Sequence, residues 1–435
     1  MINSKNNNEF IIYNNFEKFF KIYLIALIFF GIFYLYRKHT VANDTSISEY
    51  LINYQGGFVR RGFVGEILFR ISLFFGLSLR FTIFVFQSFV YTIFIFLIHN
   101  LFKNFKKDIV IIFSILTPIF LLFPIAELES LGRKETILYV YFLLFINIKN
   151  PRNANLITFF VLPLICMIYE QVILFSGFFY AFLVLKNKIT NFKSSLKIIL
   201  FFIPAILINI IFILFPLNPD NHKIMADLLM SEFNEPCYMS CSLLVNNDIN
   251  NFSQMISYIW KGVDEVFMYK IFIRYFLVFT VGLLPIFFLC YNSSFVSKNL
   301  FNTLKINNIL LLVLIIYVPV IPLFILGGDW GRWIGMIASF TTIFYFYLYK
   351  NKLIILNYKK IYQKISFFKK KKILTLIILI IFSFGWNQKT TSVEDLATKP
   401  GYKIPYNTIK IIFNFGSYRI FENSFLNDWH KKYIE

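Results

Sequence analysis

The chain has 435 residues, of which 58% are hydrophobic and 15% charged, and its formal net charge is +20. Soluble domains average about a quarter charged residues, so a water-soluble globule is excluded and lipid is the expected solvent. The positive charge does not indicate a nucleic-acid partner, because the lysines lie in short clusters between apolar runs and form no basic face or arm.

The first apolar run follows a polar start and lacks a small-residue cleavage site, so it reads as an anchor rather than a cleaved signal. Runs of spanning or nearly spanning length predict helices at 20–37, 81–101, 108–126, 135–149, 155–169, 171–186, 195–216, 270–291, 308–326, 333–349 and 373–386. The expected fold class is all-α, a polytopic transmembrane protein of about eleven helices. Basic residues in short loops are retained in the cytoplasm. The clusters at Lys103, Lys106 and Lys107, Lys149 and Arg152, Lys186 to Lys193, Lys298 and Lys305, and Lys350 to Lys372 therefore mark inner loops. The N-terminus is then inside and the C-terminus outside.

The stretch 155–186 is too long for one upright helix and short for two. Two helices meeting near Glu170 are expected, because one crossing would reverse every later loop and place Lys350 to Lys372 outside. The expected organisation is a single transmembrane domain, 1–386, with outer loops 37–80 and 218–269, followed by an extracytoplasmic tail, 387–435. Leu68 to Leu79 is apolar but short and is flanked by Glu66, Arg70 and Arg80, so it is expected to lie along the interface or re-enter. No internal repeat of fixed period is visible.

With this threading, five charged features share the outer face. Tyr54-Gln-Gly-Gly-Phe-Val-Arg-Arg-Gly-Phe-Val-Gly-Glu66 combines four glycines, which permit close backbone approach, with Arg60 and Arg61, which can clamp a phosphate. The competing reading makes the arginines anchors among lipid headgroups. Gly327-Gly-Asp-Trp-Gly-Arg-Trp333 places Asp329 and Arg332 at a tight turn beside two indoles, either as part of a site or as a local ion pair with belt tryptophans. Glu127-Leu-Glu-Ser-Leu-Gly-Arg-Lys-Glu135 supplies three carboxylates with Arg133 and Lys134, and carboxylates at membrane depth usually face a partner or a wet cavity. Glu170 is either buried and paired or the tip of a hairpin. Asp44 and Glu49 follow the first helix, and a carboxylate there could act as general base, solvated loop acids being the alternative.

His39, His99, His222 and His430 have no metal-ligand spacing, so no metal site is expected. Of Cys166, Cys237, Cys241 and Cys290, only Cys237 and Cys241 could pair, and two free thiols are expected there unless the loop is extracytoplasmic. No phosphate-binding Gly-x-x-x-x-Gly-Lys loop and no Gly-x-Ser-x-Gly elbow occur, which removes support for ATP-driven transport and serine hydrolysis.

The layout, with acids after the first helix and arginines on the outer face, resembles the GT-C class of integral-membrane glycosyltransferases and, more loosely, bacterial O-antigen polymerases and ligases. The resemblance is architectural; a paired-acid signature after the first helix is absent. It implies transfer of a sugar from a polyprenyl-(pyro)phosphate-linked donor at the extracytoplasmic face. Asp44, Glu49, Glu170 and Asp329 are then the candidate catalytic carboxylates, and Arg60, Arg61, Arg133 and Arg332 the candidate phosphate ligands. The expected partners are the lipid-linked sugar and membrane lipid; no cofactor is assigned, and a divalent metal ion is left open. Overuse of Lys, Asn, Ile and Phe suggests an AT-rich bacterial genome, hence a bacterial inner membrane. The rival reading is a lipid-linked oligosaccharide flippase or other secondary transporter, which would need ionisable residues near the midplane and repeated halves.

Overall fold

The computed structural model describes residues 7–40, 44–103, 108–246, 265–306, 308–364, 371–390 and 397–398. The protein is mostly helical. Five described helical stretches, Phe16–Thr40, Leu79–Phe102, Pro151–Ile168, Phe192–Leu214 and Phe272–Tyr291, are long and apolar enough to cross a membrane. Shorter apolar helices occupy Glu135–Ile146, Ile309–Ile325 and Ile373–Phe384. This is a multi-pass membrane protein.

At the centre stands the helix Trp330–Lys350, whose residues from Trp330 to Leu348 are all buried. A helix hidden on every side is the core of a larger bundle. It packs against Leu79–Phe102, Glu135–Ile146 and Glu265–Tyr291. Lipid tails offer no hydrophobic drive between helices, so close packing must hold them. Here aromatic rings supply it: Phe340 lies 4.8 Å from Phe175, 5.0 Å from Phe142 and 5.6 Å from Phe178, centroid to centroid. Offset and tilted ring pairs of this kind contribute about 0.5–1.5 kcal/mol each beyond their buried area.

Two expected elements differ from what folds. The helix expected over 108–126 runs only from Ile109 to Ile115 and resumes as one turn at Phe123–Ala126. Pro118 is the cause, since proline disfavours helical backbone in the residue before it and donates no hydrogen bond. The Thr117 hydroxyl donates instead to the Gly282 carbonyl at 2.7 Å, tying the break to a neighbouring helix. The segment expected along the interface at 68–79 belongs to a longer helix, Gly62–Phe75, ended by Gly76 at φ +61°. Phe74, 83% exposed, and Phe75 lie at its tip.

The stretch 155–186 forms two helices, Pro151–Ile168 and Ser176–Lys186. They are separated at Tyr169, whose extended backbone (φ −156°, ψ 101°) is followed by a 3-10 segment at Glu170–Phe175. One end of the bundle gathers the basic connections. There Lys350 donates to the Asn100 carbonyl at 2.5 Å, Tyr362 to Asp108 at 3.1 Å, and the Leu300 amide to the Ile189 carbonyl at 2.8 Å. A short antiparallel ribbon, Ser293–Phe295 with Ile354–Leu356, lies between them in sequence.

Of the expected tail, 387–390 and 397–398 are described and the remainder lies outside the described residues. Asn387, Gln388 and Thr390 are buried. This segment crosses the start of the central helix: Gln388 donates to the Gly331 carbonyl at 2.8 Å, and a Cβ added at Gly331 would stand 1.6 Å from the Lys389 carbonyl oxygen. Gly331→Ala should therefore dislodge the segment and cost about 1–3 kcal/mol, as overpacking does. Gly76→Ala meets no atom within 4 Å and should cost about 1 kcal/mol through its left-handed backbone alone. Thermal midpoints of the detergent-solubilised variants, followed by size-exclusion chromatography, would refute the close approach if Gly331→Ala unfolded no earlier than Gly76→Ala.

Candidate functional site

At the end of the bundle opposite the basic connections, side chains from five segments interlock. The Thr45–Tyr50 helix brings Glu49, the loop before Gly62–Phe75 brings Arg60 and Arg61, and the start of Glu135–Ile146 brings Arg133, Lys134 and Glu135. The break after Ile168 brings Tyr169 and Glu170, and the start of the central helix brings Asp329 and Arg332.

Arg332 is the hub. Its Nε donates to Glu135 Oε1 at 2.8 Å, its Nη1 to Asp329 Oδ2 at 2.7 Å and its Nη2 to Glu49 Oε1 at 3.2 Å. Arg133 Nη1 donates to the same Glu49 oxygen at 2.7 Å. Arg61 forms a two-pronged pair with Glu170, its Nε 2.8 Å from Oε2 and its Nη2 2.5 Å from Oε1, and its guanidinium lies over the Tyr169 ring. Arg60 Nη1 stands 3.9 Å from Glu170 Oε1. Lys134, fully buried, donates to the Arg61 carbonyl at 2.6 Å and lies 5.4 Å from the Tyr50 ring centroid. That bond holds Arg61 in the left-handed conformation (φ 64°) that starts the next helix.

Five cations, Arg60, Arg61, Arg133, Lys134 and Arg332, thus face four carboxylates, Glu49, Glu135, Glu170 and Asp329. The Glu49 side chain is 1% exposed, whereas those of Asp329 and Arg60 are 35% and 31% exposed. The cluster is sealed inside and open at these two residues. Burial would raise the Glu49 carboxyl, but Arg133 and Arg332, with Arg61 and Lys134 beyond them, outweigh it and hold it at about 2. Glu170 is likewise held at about 2, burial being overcome by Arg61 and Arg60. Burial draws the Lys134 ammonium down to about 7 in spite of Glu49, Glu170 and Glu135.

Of the eight residues singled out from the sequence, seven meet here. Asp44 does not join the hub. It caps the Thr45–Tyr50 helix, accepting from the Ser46 amide at 2.9 Å and the Ile47 amide at 3.3 Å, and pairs with Lys38 at 3.5 Å. Lys38 in turn donates to the Leu128 and Leu131 carbonyls at 2.6 and 3.1 Å, anchoring the first helix to the turn before Arg133. Arg61, Arg133 and Arg332 are engaged by carboxylates rather than turned outward. Glu170 is paired, not a bare hairpin tip. Sequence reasoning gives no role to Lys38 or Tyr169, and it names Lys134 and Glu135 only as members of the 127–135 motif, without a place among the site residues. The signal for Glu135 is its place in the first turn of an apolar helix, directly after two cations. Tyr169 carries no such signal.

Outside the cluster, Cys237 and Cys241 form a disulfide, the alternative reserved for an extracytoplasmic loop, while Cys166 and Cys290 are free and buried. Folding also brings His222 beside that pair, a neighbourhood that linear spacing does not reveal. Comparison of the chain with protein-family models, curated proteins and solved structures returned no match.

Breaking one member of a buried ion pair strands the other, at about 3–5 kcal/mol. The Arg61 and Glu170 side chains are each 17% exposed, so Glu170→Gln and Arg61→Gln should each destabilise by less than that, about 1–3 kcal/mol, and the double variant by clearly less than the sum; additive losses would show that the pair does not couple. Between the ordinary carboxyl value of 4.5 and about 2, folded Glu49 and Glu170 bind fewer protons than the unfolded chain. Their contribution is therefore complete above pH 4.5 and drains away as the pH falls toward 2. Thermal midpoints recorded from pH 6 to pH 3 should fall for the native chain and fall less steeply for Glu170→Gln.

Proposed function

We propose that this protein is a glycosyltransferase or surface-polysaccharide polymerase of a bacterial inner membrane, using a polyprenyl-(pyro)phosphate-linked sugar at the extracytoplasmic face. The observation that carries this reading is the sealed cluster of five cations and four carboxylates whose two open members are a carboxylate, Asp329, and a guanidinium, Arg60. The orientation follows from charge: the end holding the basic connections faces the cytoplasm, so the cluster faces outward with the N-terminus inside.

Glycosyl transfer from a lipid phosphate needs a base for the acceptor hydroxyl and cations for the departing phosphate. Glu49 and Glu170, held ionised at about 2 by their arginines, are poor proton acceptors. Asp44 is occupied by its cap and by Lys38. Asp329 is the carboxylate with access: Arg332 holds its Oδ2, the side chain is 35% exposed, and its Oδ1 takes the base role. Arg60, the exposed guanidinium of the cluster, receives the phosphate. Arg332, Glu135, Glu49 and Arg133 are positioning residues: they fix the start of the central helix and with it Asp329. An apolar furrow of about 510 Å³, lined by Ile25, Ile28, Phe29, Ile32, Phe33, Tyr36 and Phe84, runs along the first helix toward this end and suits an isoprenoid. A transporter of lipid-linked sugars would be expected to carry its ionisable groups near the midplane. Here they gather at helix ends.

The test is complementation in a bacterium whose surface glycan depends on this protein. Asp329→Asn should reduce glycan output by about a hundredfold or more, the usual worth of a positioned base, and Arg60→Gln should reduce it strongly. Asp44→Asn keeps the helix cap but strands buried Lys38, so it should lower the membrane level of the protein and leave glycan output per molecule near normal. Normal glycan from Asp329→Asn, with membrane levels equal to the parent, would remove Asp329 from the reaction.

A further inference from the structure

The connection after Leu214 leaves the bundle as a helix, Pro219–Phe233, that ends at Asn234 in a left-handed conformation (φ 51°). The chain then doubles back along that helix. His222 lies in the first turn going out, and Cys237 and Cys241 lie on the return. His222 Nε2 is 3.3 Å from Cys237 Sγ and 3.1 Å from the Cys241 carbonyl, and the possible ligand atoms of the three residues all lie within 4.8 Å of one another.

Among its described residues the excursion has few fully buried apolar side chains. Its helix buries Met225 and Leu229, and the return adds Cys241 and Leu244. A unit this small does not hold its shape on hydrophobic burial and needs a cross-link or a metal. Two cysteines separated by three residues, with an imidazole beside them, can provide either. The Cys-x-x-x-Cys spacing falls within the range used by thiolate zinc sites, and the Cα atoms are 5.3 Å apart. Zinc–sulfur bonds of about 2.3 Å need the two sulfurs roughly 3.8 Å apart in a tetrahedron, which side-chain rotation supplies without moving the backbone.

We propose that His222, Cys237 and Cys241 form an exchangeable staple: a disulfide when oxidised, and a three-ligand site for one thiophilic divalent cation of the zinc class when reduced. A dithiol or phosphine reductant delivers two electrons, the sulfur–sulfur bond breaks and each sulfur takes a proton. Metal binding then releases both protons, and neutral His222 donates a nitrogen lone pair; the fourth position is left to water. This inference does not rest on the glycosyl-transfer reading.

The staple bears on the charged cluster because the excursion is docked above it. The Ser240 amide donates to the Ser48 hydroxyl at 3.3 Å, one residue from Glu49. Asn221 backbone lies so close to Gly56 that a Cβ there would stand 1.9 Å from the Asn221 carbonyl oxygen. Glu235 receives the two-pronged guanidinium of Arg80.

The test uses the full chain purified in detergent, before and after reduction with a phosphine and anaerobic desalting, titrated with cobalt(II) and then with zinc(II). The oxidised chain should give no thiolate-to-cobalt charge-transfer band. The reduced chain should give one that saturates at one ion per chain and is displaced by zinc. Replacing Cys166 and Cys290 by Ser should leave the band unchanged, Cys237→Ser should remove it, and His222→Ala should weaken binding at least tenfold. A reduced, monodisperse wild-type chain without the band overturns the proposal, as does a band that His222→Ala leaves undiminished. The decisive arm is the wild-type chain, so a variant that fails to fold does not blunt the test.

Discussion

Arg332 holds the structure together at its most costly point. A guanidinium keeps its charge in any protein environment, and this one is 6% exposed at the start of a helix buried nearly to its far end. The start of a helix is also the positive end of its dipole, the wrong place for a cation. Burial and dipole together would expel it. It stays because Glu49 and Glu135 converge on it from two other segments and Asp329 from its own, so the positions of those three segments are not independent. Arg133 shares Glu49, Lys134 holds the Arg61 carbonyl, and Arg61 holds Glu170. One buried cation thereby sets the relative positions of all five segments that build the site.

This arrangement separates two tasks that look alike in a list of charged residues. Buried pairs such as Arg133 with Glu49 are weak sources of net stability, because desolvation offsets most of the attraction, yet removing one partner is expensive. They specify geometry. Chemistry needs groups that water or substrate can reach, and among the charged members here those are Asp329 and Arg60. The inner arginines hold the scaffold steady, and the outer pair is what a ligand would meet.

Much of the fold is legible in the sequence because lipid imposes a simple demand, long apolar helices, that hydropathy reads directly. The division of 155–186 at Glu170 is legible through charge asymmetry, and it falls at Tyr169. The break at Thr117-Pro118 is harder to read, since the apolar run continues unbroken across it and only the proline marks it. The site is legible as a set of suspicious residues but not as a set of partners. Arg332 and Glu135 are 197 residues apart, and Arg61 and Glu170 are 109 apart. No local spacing encodes such pairs. For the same reason His222 gives no sign in the sequence of lying against Cys237, which only the doubling back of one excursion brings about.

The burial of Gln388 and its neighbours against Gly331 has a consequence for biogenesis. The ribosome makes this segment after all the described helices, yet it packs across the start of the central helix and reaches Tyr275 through the Lys389 carbonyl. The earlier helices must therefore leave a slot open beside Asp329 and Arg332 until the helix Lys372–Phe384 has been inserted. Closure of the bundle beside Asp329 and Arg332 therefore comes after insertion of that helix, and a chain released before it would lack the 387–390 segment across the start of the central helix.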